Sequence, residues 1–230
     1  MKAFVLAGGL GTRLRPRFGE LPKGLAPLAG RPFLAHTLDW LAHGAVRDVV
    51  LCLGVGAEAI REALGDGSSF GVRITYSIED RPLGTGGALK LAARFVDGPT
   101  LVMNGDTLAA FDAWELERAR WESGAAAAVA LFHVEDARAR GRVERDAEGW
   151  VTRFVEKDPD HTGPAWVSGG LYAFAREVWD RLPAGESSLA RDLLPAIARE
   201  RRLFGCAIQG AFHDIGTPEG LERAERRLGA

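Results

Sequence analysis

Short apolar runs alternate with segments of helical period along the first half of the chain. Residues 3–7, 48–53 and 100–103 are near-continuous apolar runs bounded by polar or glycine positions, the pattern of strands buried on both faces. Residues 72–76 alternate instead and predict one more strand. Between these runs Phe33, Leu34, Leu38 and Leu41 recur at helical spacing, which predicts a helix ending near Gly44. Further helices are predicted over 57–64 and 85–94. Strands separated by helices at this spacing call for right-handed crossovers and a mainly parallel sheet covered on both faces.

The pattern changes after residue 110. Strand-like runs fall at 125–134, 141–145, 150–155 and 167–174, with Gly149 turning between two of them. Helices over 189–201 and 218–228 flank a strand near 203–208. The whole predicts a three-layer α/β/α, Rossmann-like architecture with a small antiparallel lid. It is read as one domain, 1–230, in two halves, about 1–110 and about 111–230.

The stretch that carries chemistry follows the first strand. Leu6 and Ala7 lead into Gly8-Gly9-Leu10-Gly11-Thr12-Arg13, a loop of glycines, a hydroxyl and a guanidinium. Glycines let successive N–H groups line an anion-binding nest, and Arg13 and Lys23 add positive charge beside it. A phosphate-bearing ligand is the natural guest. Two familiar phosphate loops do not fit: the third glycine of G-x-G-x-x-G is Leu14, and Lys23 follows Pro22 rather than a glycine. The missing glycine also argues against a nicotinamide-dependent dehydrogenase.

Two carboxylates stand out farther on. Asp106 follows an apolar run and an Asn-Gly at a predicted strand end, where ligands gather in open α/β sheets. A carboxylate there suits Mg²⁺, which takes one or two carboxylates together with phosphate oxygens; the plainer reading is a cap for the next helix. Asp214, in Asp214-Ile215-Gly216-Thr217-Pro218, lies just ahead of the last predicted helix and carries the same two readings.

The pattern L-x-G-G-x-G-T-R-L-x-P from Leu6 to Pro16, followed by Pro22-Lys23, resembles the N-terminal signature of the sugar-1-phosphate nucleotidylyltransferases. The resemblance extends over essentially the whole chain. It implies the nucleotide-diphospho-sugar transferase fold, with an NTP and a sugar 1-phosphate as substrates and Mg²⁺ as cofactor, held by Asp106 and Asp214. It further implies Arg13 on the triphosphate, Lys23 on the α-phosphate, Glu156 on sugar hydroxyls and Lys157 on the sugar phosphate. Leu83-Gly84-Thr85-Gly86-Gly87 resembles the base-binding loop, whose small residues let a base approach backbone amides, and Glu79 matches a position that contacts the base edge. Gly141, Ser168 and Gly170 correspond to the sugar pocket. Ser168 stands where relatives often carry asparagine. Gly24 replaces a frequent proline, which is expected to soften its loop. The segment 77–89 looks most like that of D-glycero-α-D-manno-heptose 1-phosphate guanylyltransferases; mannose 1-phosphate guanylyltransferase and N-acetylmuramate 1-phosphate uridylyltransferase stay open. A different class, a non-catalytic regulatory subunit, would be expected to lose Arg13, Lys23 or an aspartate, and none is lost.

Composition narrows the partners. Lys and Arg total 29 against 31 Asp and Glu, so no global field draws the chain to nucleic acid. Two cysteines far apart, Cys52 and Cys206, read as reduced core residues. No apolar stretch approaches the ~20 residues of a membrane span. The expectation is a cytoplasmic enzyme, monomeric or homodimeric, with neither nucleic acid nor membrane as partner.

Overall fold

A computed structural model describes residues 1–9, 15–109, 111–137, 141–155, 160–210, 212–215 and 218–228; of residues 15, 109, 213, 214, 218, 227 and 228 it describes the backbone alone. In chain order the first half contains β1 (Lys2–Leu6), α1 (Arg15–Phe18), β2 (Pro27–Leu28), β3 (Arg31–Pro32), α2 (Phe33–His43), β4 (Asp48–Leu53), α3 (Ala57–Leu64), β5 (Arg73–Ile78), α4 (Gly84–Ala92), β6 (Thr100–Asn104) and β7 (Thr107–Ala109). The second contains α5 (Ala113–Ser123), β8 (Ala127–Val134), β9 (Arg142–Arg145), β10 (Val151–Val155), β11 (Ala165–Phe174), α6 (Arg176–Asp180), α7 (Leu194–Arg199), β12 (Leu203–Ala207), β13 (Phe212–Asp214) and α8 (Pro218–Leu228).

The central sheet runs β10-β9-β11-β6-β1-β4-β5, with β8 pairing both β11 and β12. Its first-half strands are parallel: Leu6 lies opposite Cys52 on one side and Asn104 on the other, and Leu53 opposite Ile78. The mainly parallel, helix-covered sheet expected from the apolar runs is therefore present. Alternation along the strands sorts two cores. Ala3, Val5, Val49 and Leu51 pack against Leu34 and Leu38 of α2, Ile60 of α3 and Leu116 of α5. Phe4, Val50 and Cys52 face the other way, toward Leu89 of α4, Trp179 of α6 and Ile197 of α7. β1, β4 and β6 thus bury both faces, which is why their sequences show no polar side, whereas the edge strand β5 alternates because one of its faces is exposed.

In the second half β11 is antiparallel to β6 and to β8, and its register with β8 shifts between Ser168 and Tyr172. Its first residues meet β9, where Val167 lies opposite Arg142, and the β9–β10 hairpin supplies an antiparallel extension. A separate two-stranded antiparallel sheet joins β13 to β7.

Three expectations needed correction. Helix α5 was not anticipated, because its sequence AWELERARWES has no clean apolar stripe. One of its inward residues is Arg120, 6% exposed, which Glu117 neutralises while Ala125 O accepts from its Nη1. The helix expected over 189–201 opens as a wide π-turn at Leu189–Leu193 before α7. Pro195 has no N–H to give the carbonyl four residues back, so a regular α-turn cannot close there. The strand expected over 125–134 starts at Ala127.

Candidate active site

The carboxyl ends of β1, β4, β5 and β6 open on a cavity of about 380 Å³. Leu6, Gly8 and Gly9 form one wall, Gly54 and Val55 the next, Glu79 to Pro82 with Gly84, Thr85 and Ala88 another, and Asn104 and Asp106 the last. All these described lining residues precede position 107.

Close backbone approach builds the first end of this cavity. A Cβ on Gly8 would stand 3.0 Å from Gly54 N, and one on Gly54 would stand 2.9 Å from Glu79 Oε1 and 3.1 Å from Gly8 O. Glu79 extends the ladder beyond β5, its N–H donating to Leu53 O at 2.9 Å. Its Oε2 accepts from Leu83 N–H at 3.2 Å. Partial burial raises the pKa of Glu79 above its ordinary value; the Leu83 bond opposes that rise and the neighbouring Asp80 charge adds to it. The carboxylate is thus placed at a strand end, half satisfied by protein.

The glycine-rich start of α4 packs closely on the 185–189 backbone. Gly84 has φ +69°, and Cβ atoms on Gly84 and Gly86 would lie 2.5 Å from Ser187 O and Oγ, while one on Gly87 would lie 2.3 Å from Gly185 O. Gly86 N–H donates to Ser187 O, Ser187 N–H to Leu83 O, and Leu189 N–H to Thr85 Oγ1. The missing side chains make room for the 185–189 backbone. Only Gly84, Thr85 and Ala88 of this helix reach the cavity.

The opposite end is organised around Asp106. Gly105 N–H donates to Leu6 O at 2.8 Å, and a Cβ there would strike the same oxygen, so the chain crosses the end of β1 only with glycine at 105. Asp106 leads into β7 and so caps no helix; the next cap is Asp112, which accepts from Trp114 N–H ahead of α5. Lys23 Nζ donates to Asp106 Oδ2 at 2.5 Å. The β13–β7 ladder puts Asp214 opposite Thr107, and Ile215 N–H donates to Asp106 O at 3.0 Å. A small core of Leu28, Phe33, Ile215, Leu221 and Ala224 fixes β13 and α8 in that position. The two aspartates that are far apart in sequence are thereby neighbours in backbone. Among the described residues no three His, Cys, Asp or Glu side chains cluster as a metal site.

Of the residues assigned to a sugar pocket from the sequence, Gly170 (φ +71°) lies close to Asn104, a cavity residue; a Cβ would lie 2.4 Å from Asn104 Nδ2. Ser168 turns inward: Gly170 N–H donates to its Oγ at 3.2 Å, and the same oxygen shares a hydrogen bond with the buried Tyr172 hydroxyl. Its hydroxyl therefore holds the bend in β11. Gly141 sits ahead of β9 beside Val155 O, away from the cavity walls. Gly24, expected to soften its loop, is buried against Leu34, where a Cβ would lie 2.5 Å from Cδ1; it permits tight packing. Gly11, Thr12, Arg13, Glu156 and Lys157 lie outside the described residues, as does the side chain of Asp214. Sequence reasoning passed over Asn104, Asp80 and Arg81, which line the cavity. The place of Asn104 at the end of β6 was the available signal.

A family model described as Nucleotidyl transferase matches residues 2–229. The chain belongs to that family. A mannose-1-phosphate guanylyltransferase of Mycobacterium tuberculosis is 36% identical over 230 residues, covering 98% of this chain and 64% of that relative. A mannose-1-phosphate guanylyltransferase catalytic subunit beta of Xenopus tropicalis is 34% identical over 224 residues, covering 95% of this chain and 62% of the relative. The chain thus spans less than two thirds of the curated relatives it matches. Among solved structures, HddC from Yersinia pseudotuberculosis complexed with GMP-PN is similar over 99% of both chains, with TM-score 0.86 and 27% identity. A putative glucose-1-phosphate thymidylyltransferase from Bacillus anthracis is similar with TM-score 0.88 and 26% identity, over 99% of this chain and 94% of the other. These likenesses agree with the fold expected from the sequence. No helix of the described residues is long and apolar enough to cross a membrane.

Proposed function

We propose that this chain joins GTP to a sugar 1-phosphate, giving GDP-sugar and pyrophosphate. The observation that carries the reading is the cavity itself, with a carboxylate, Glu79, at one end and the Lys23–Asp106 pair at the other. Guanine presents N1–H and N2–H₂ side by side, two donors that one carboxylate accepts together. Adenine has an unprotonated N1 on that edge, and uracil and thymine offer one N–H between two carbonyls. A site built on hydrogen bonds discriminates because the wrong base leaves polar groups unpaired. The guanylyltransferase names of the 36% and 34% identical relatives support this choice.

The donor set suits Mg²⁺: Asp106 already holds one cation, and the backbone of Asp214 runs beside it. Asp106 and Asp214 would hold the ion, which when bound supplies charge compensation for the phosphates. The protein's own part is positional. Gly8 and Gly9 line the cavity wall at the phosphate loop, Arg13 binds the triphosphate, and Lys23 moves onto the α-phosphate. Glu156 orients the sugar through its hydroxyls and Lys157 holds its phosphate, so that a sugar-phosphate oxygen faces the α-phosphorus in line with departing pyrophosphate. Bringing two anions together and offsetting their charge is the catalytic task.

The sugar we assign is D-glycero-α-D-manno-heptose 1-phosphate, on the 77–89 segment. Mannose 1-phosphate is the second reading, favoured by the names of the curated relatives; it keeps the manno ring and lacks one hydroxymethylene. Pyrophosphate release measured for GTP, UTP, ATP and dTTP against both sugars and N-acetylmuramate 1-phosphate tests all of this. The highest kcat/KM is expected with GTP and the heptose. Preference for UTP would overturn the guanylyl assignment; preference for mannose 1-phosphate would exchange the two sugars.

A further inference from the structure

Lys23 and Asp106 were expected on different partners, a phosphate and a metal, yet the structure joins them to each other. Their side chains are 15% and 27% exposed, and the Nζ–Oδ2 distance is 2.5 Å. Neither backbone is free to follow a moving side chain. Around Lys23, Leu25 N–H donates to Pro22 O at 2.8 Å and Ala26 N–H to Lys23 O at 3.0 Å, while Gly24 is wedged on Leu34. Around Asp106, Gly105 is tied to Leu6 and Ile215 N–H is tied to the Asp106 carbonyl. What remains adjustable is the lysine side chain, a long stem with rotatable donors.

We propose that Lys23 is a resident counter-ion for Asp106, which it holds until a divalent cation and nucleotide arrive together and then exchanges for phosphate oxygens. This rests on the reading of Asp106 as a metal carboxylate. A partly buried carboxylate with no cation beside it is costly, and a divalent cation placed on the same oxygens as an ammonium group is repelled by it. A cation arriving alone must therefore displace Lys23 and leave the ammonium without a partner. When nucleotide comes with it, the released ammonium finds phosphate oxygens. The lysine thereby makes metal and nucleotide binding mutually dependent, and such coupling is reciprocal.

The test is Mn²⁺ titration followed by the electron paramagnetic resonance of the free ion. It uses wild type, Lys23→Met, Asp106→Asn and the double variant, without nucleotide and then with GTP and no sugar phosphate. Without nucleotide, Lys23→Met should bind Mn²⁺ about ten- to a hundredfold more tightly than wild type, the worth of one charge-assisted hydrogen bond. That gain should vanish in the double variant, and GTP should enhance Mn²⁺ binding less in Lys23→Met than in wild type. Thermal melting checks that each variant is folded, and Lys23→Gln serves the same purpose if the methionine variant is not. If Lys23→Met binds no more tightly while Asp106→Asn still weakens wild-type binding, the counter-ion proposal falls alone. If the gain survives in the double variant, the assignment of Asp106 to the metal falls with it.

Discussion

Replacing Gly54 by alanine tests how the Glu79 end of the cavity is held. The new Cβ would stand 2.9 Å from Glu79 Oε1 and 3.1 Å from Gly8 O, where ordinary contact begins at 3.4 Å. Gly8 and Gly54 extend paired strands, so the carboxylate is the softer neighbour and must retreat by about half an ångström. Its other oxygen is already 3.2 Å from Leu83 N, at the long end of the hydrogen-bond range, and a retreat of that size breaks the bond. Loss of a bond to a charged acceptor at a partly exposed site, together with modest overpacking, comes to roughly 2 kcal/mol. For a chain of this size that lowers the melting temperature by about 4–8 °C. If Glu79 reads guanine, the ratio of kcat/KM for GTP over UTP should fall about tenfold, which corresponds to ~1.4 kcal/mol. Gly98→Ala is the control, since nothing lies within 4 Å of a Cβ there. Scanning calorimetry and the two-nucleotide assay decide. A lower melting temperature with an unchanged GTP:UTP ratio would show that the contact packs the loop but does not place a base reader.

Three further outcomes are expected. Burial raises the folded-state pKa of Glu79, so between the unfolded and folded pKa values the native state binds more protons and stability falls as pH rises through that window; Glu79→Gln should lack this fall, and a stability difference between the two proteins that is flat from pH 4 to 7 by urea unfolding would refute it. The Cys52 thiol, pushed up to about 12 chiefly by burial and further by Glu79, should resist iodoacetamide at pH 8.5 in the native protein, and a carbamidomethyl group on Cys52 by mass spectrometry would contradict that. Thr100→Val removes the acceptor for the buried Trp179 indole N–H at 2.9 Å and should cost about 1–3 kcal/mol in urea unfolding while leaving GTP use unaltered; unchanged stability would mean that the indole finds another partner.

Legibility followed the strength of the local pattern. The parallel strands and α2, α3 and α8 were readable because a buried strand or an amphipathic helix writes its period into the chain. Helix α5 was not, since a buried arginine paired with Glu117 takes the place of an apolar residue. In the site, residue identity was easier to read than residue purpose. Glu79 and Asp106 line one cavity and Lys23 bonds Asp106, but the pairing of Lys23 with Asp106 joins side chains 83 residues apart, which no local pattern encodes. Gly84, Gly86 and Gly87 make the same point: the sequence marks them as needing no side chain, and the partner a hundred residues away explains why.

That partner bears on the order in which the protein is made. Every described residue of the cavity wall has been synthesised by position 106, yet the backbone that supports α4 from behind, 185–189, comes some eighty residues later. A nascent chain of about 110 residues therefore holds every described lining group and the Glu79–Leu83 bond, but lacks the 185–189 backbone that bonds Leu83 O, Thr85 Oγ1 and Gly86 N–H. The strands can pair early and the cavity still matures late, because the contacts of α4 with 185–189 close only over a long loop of chain. On the function proposed above, nucleotide is expected to act as a folding ligand only once residues 185–189 have left the ribosome, and not on completion of the glycine loop.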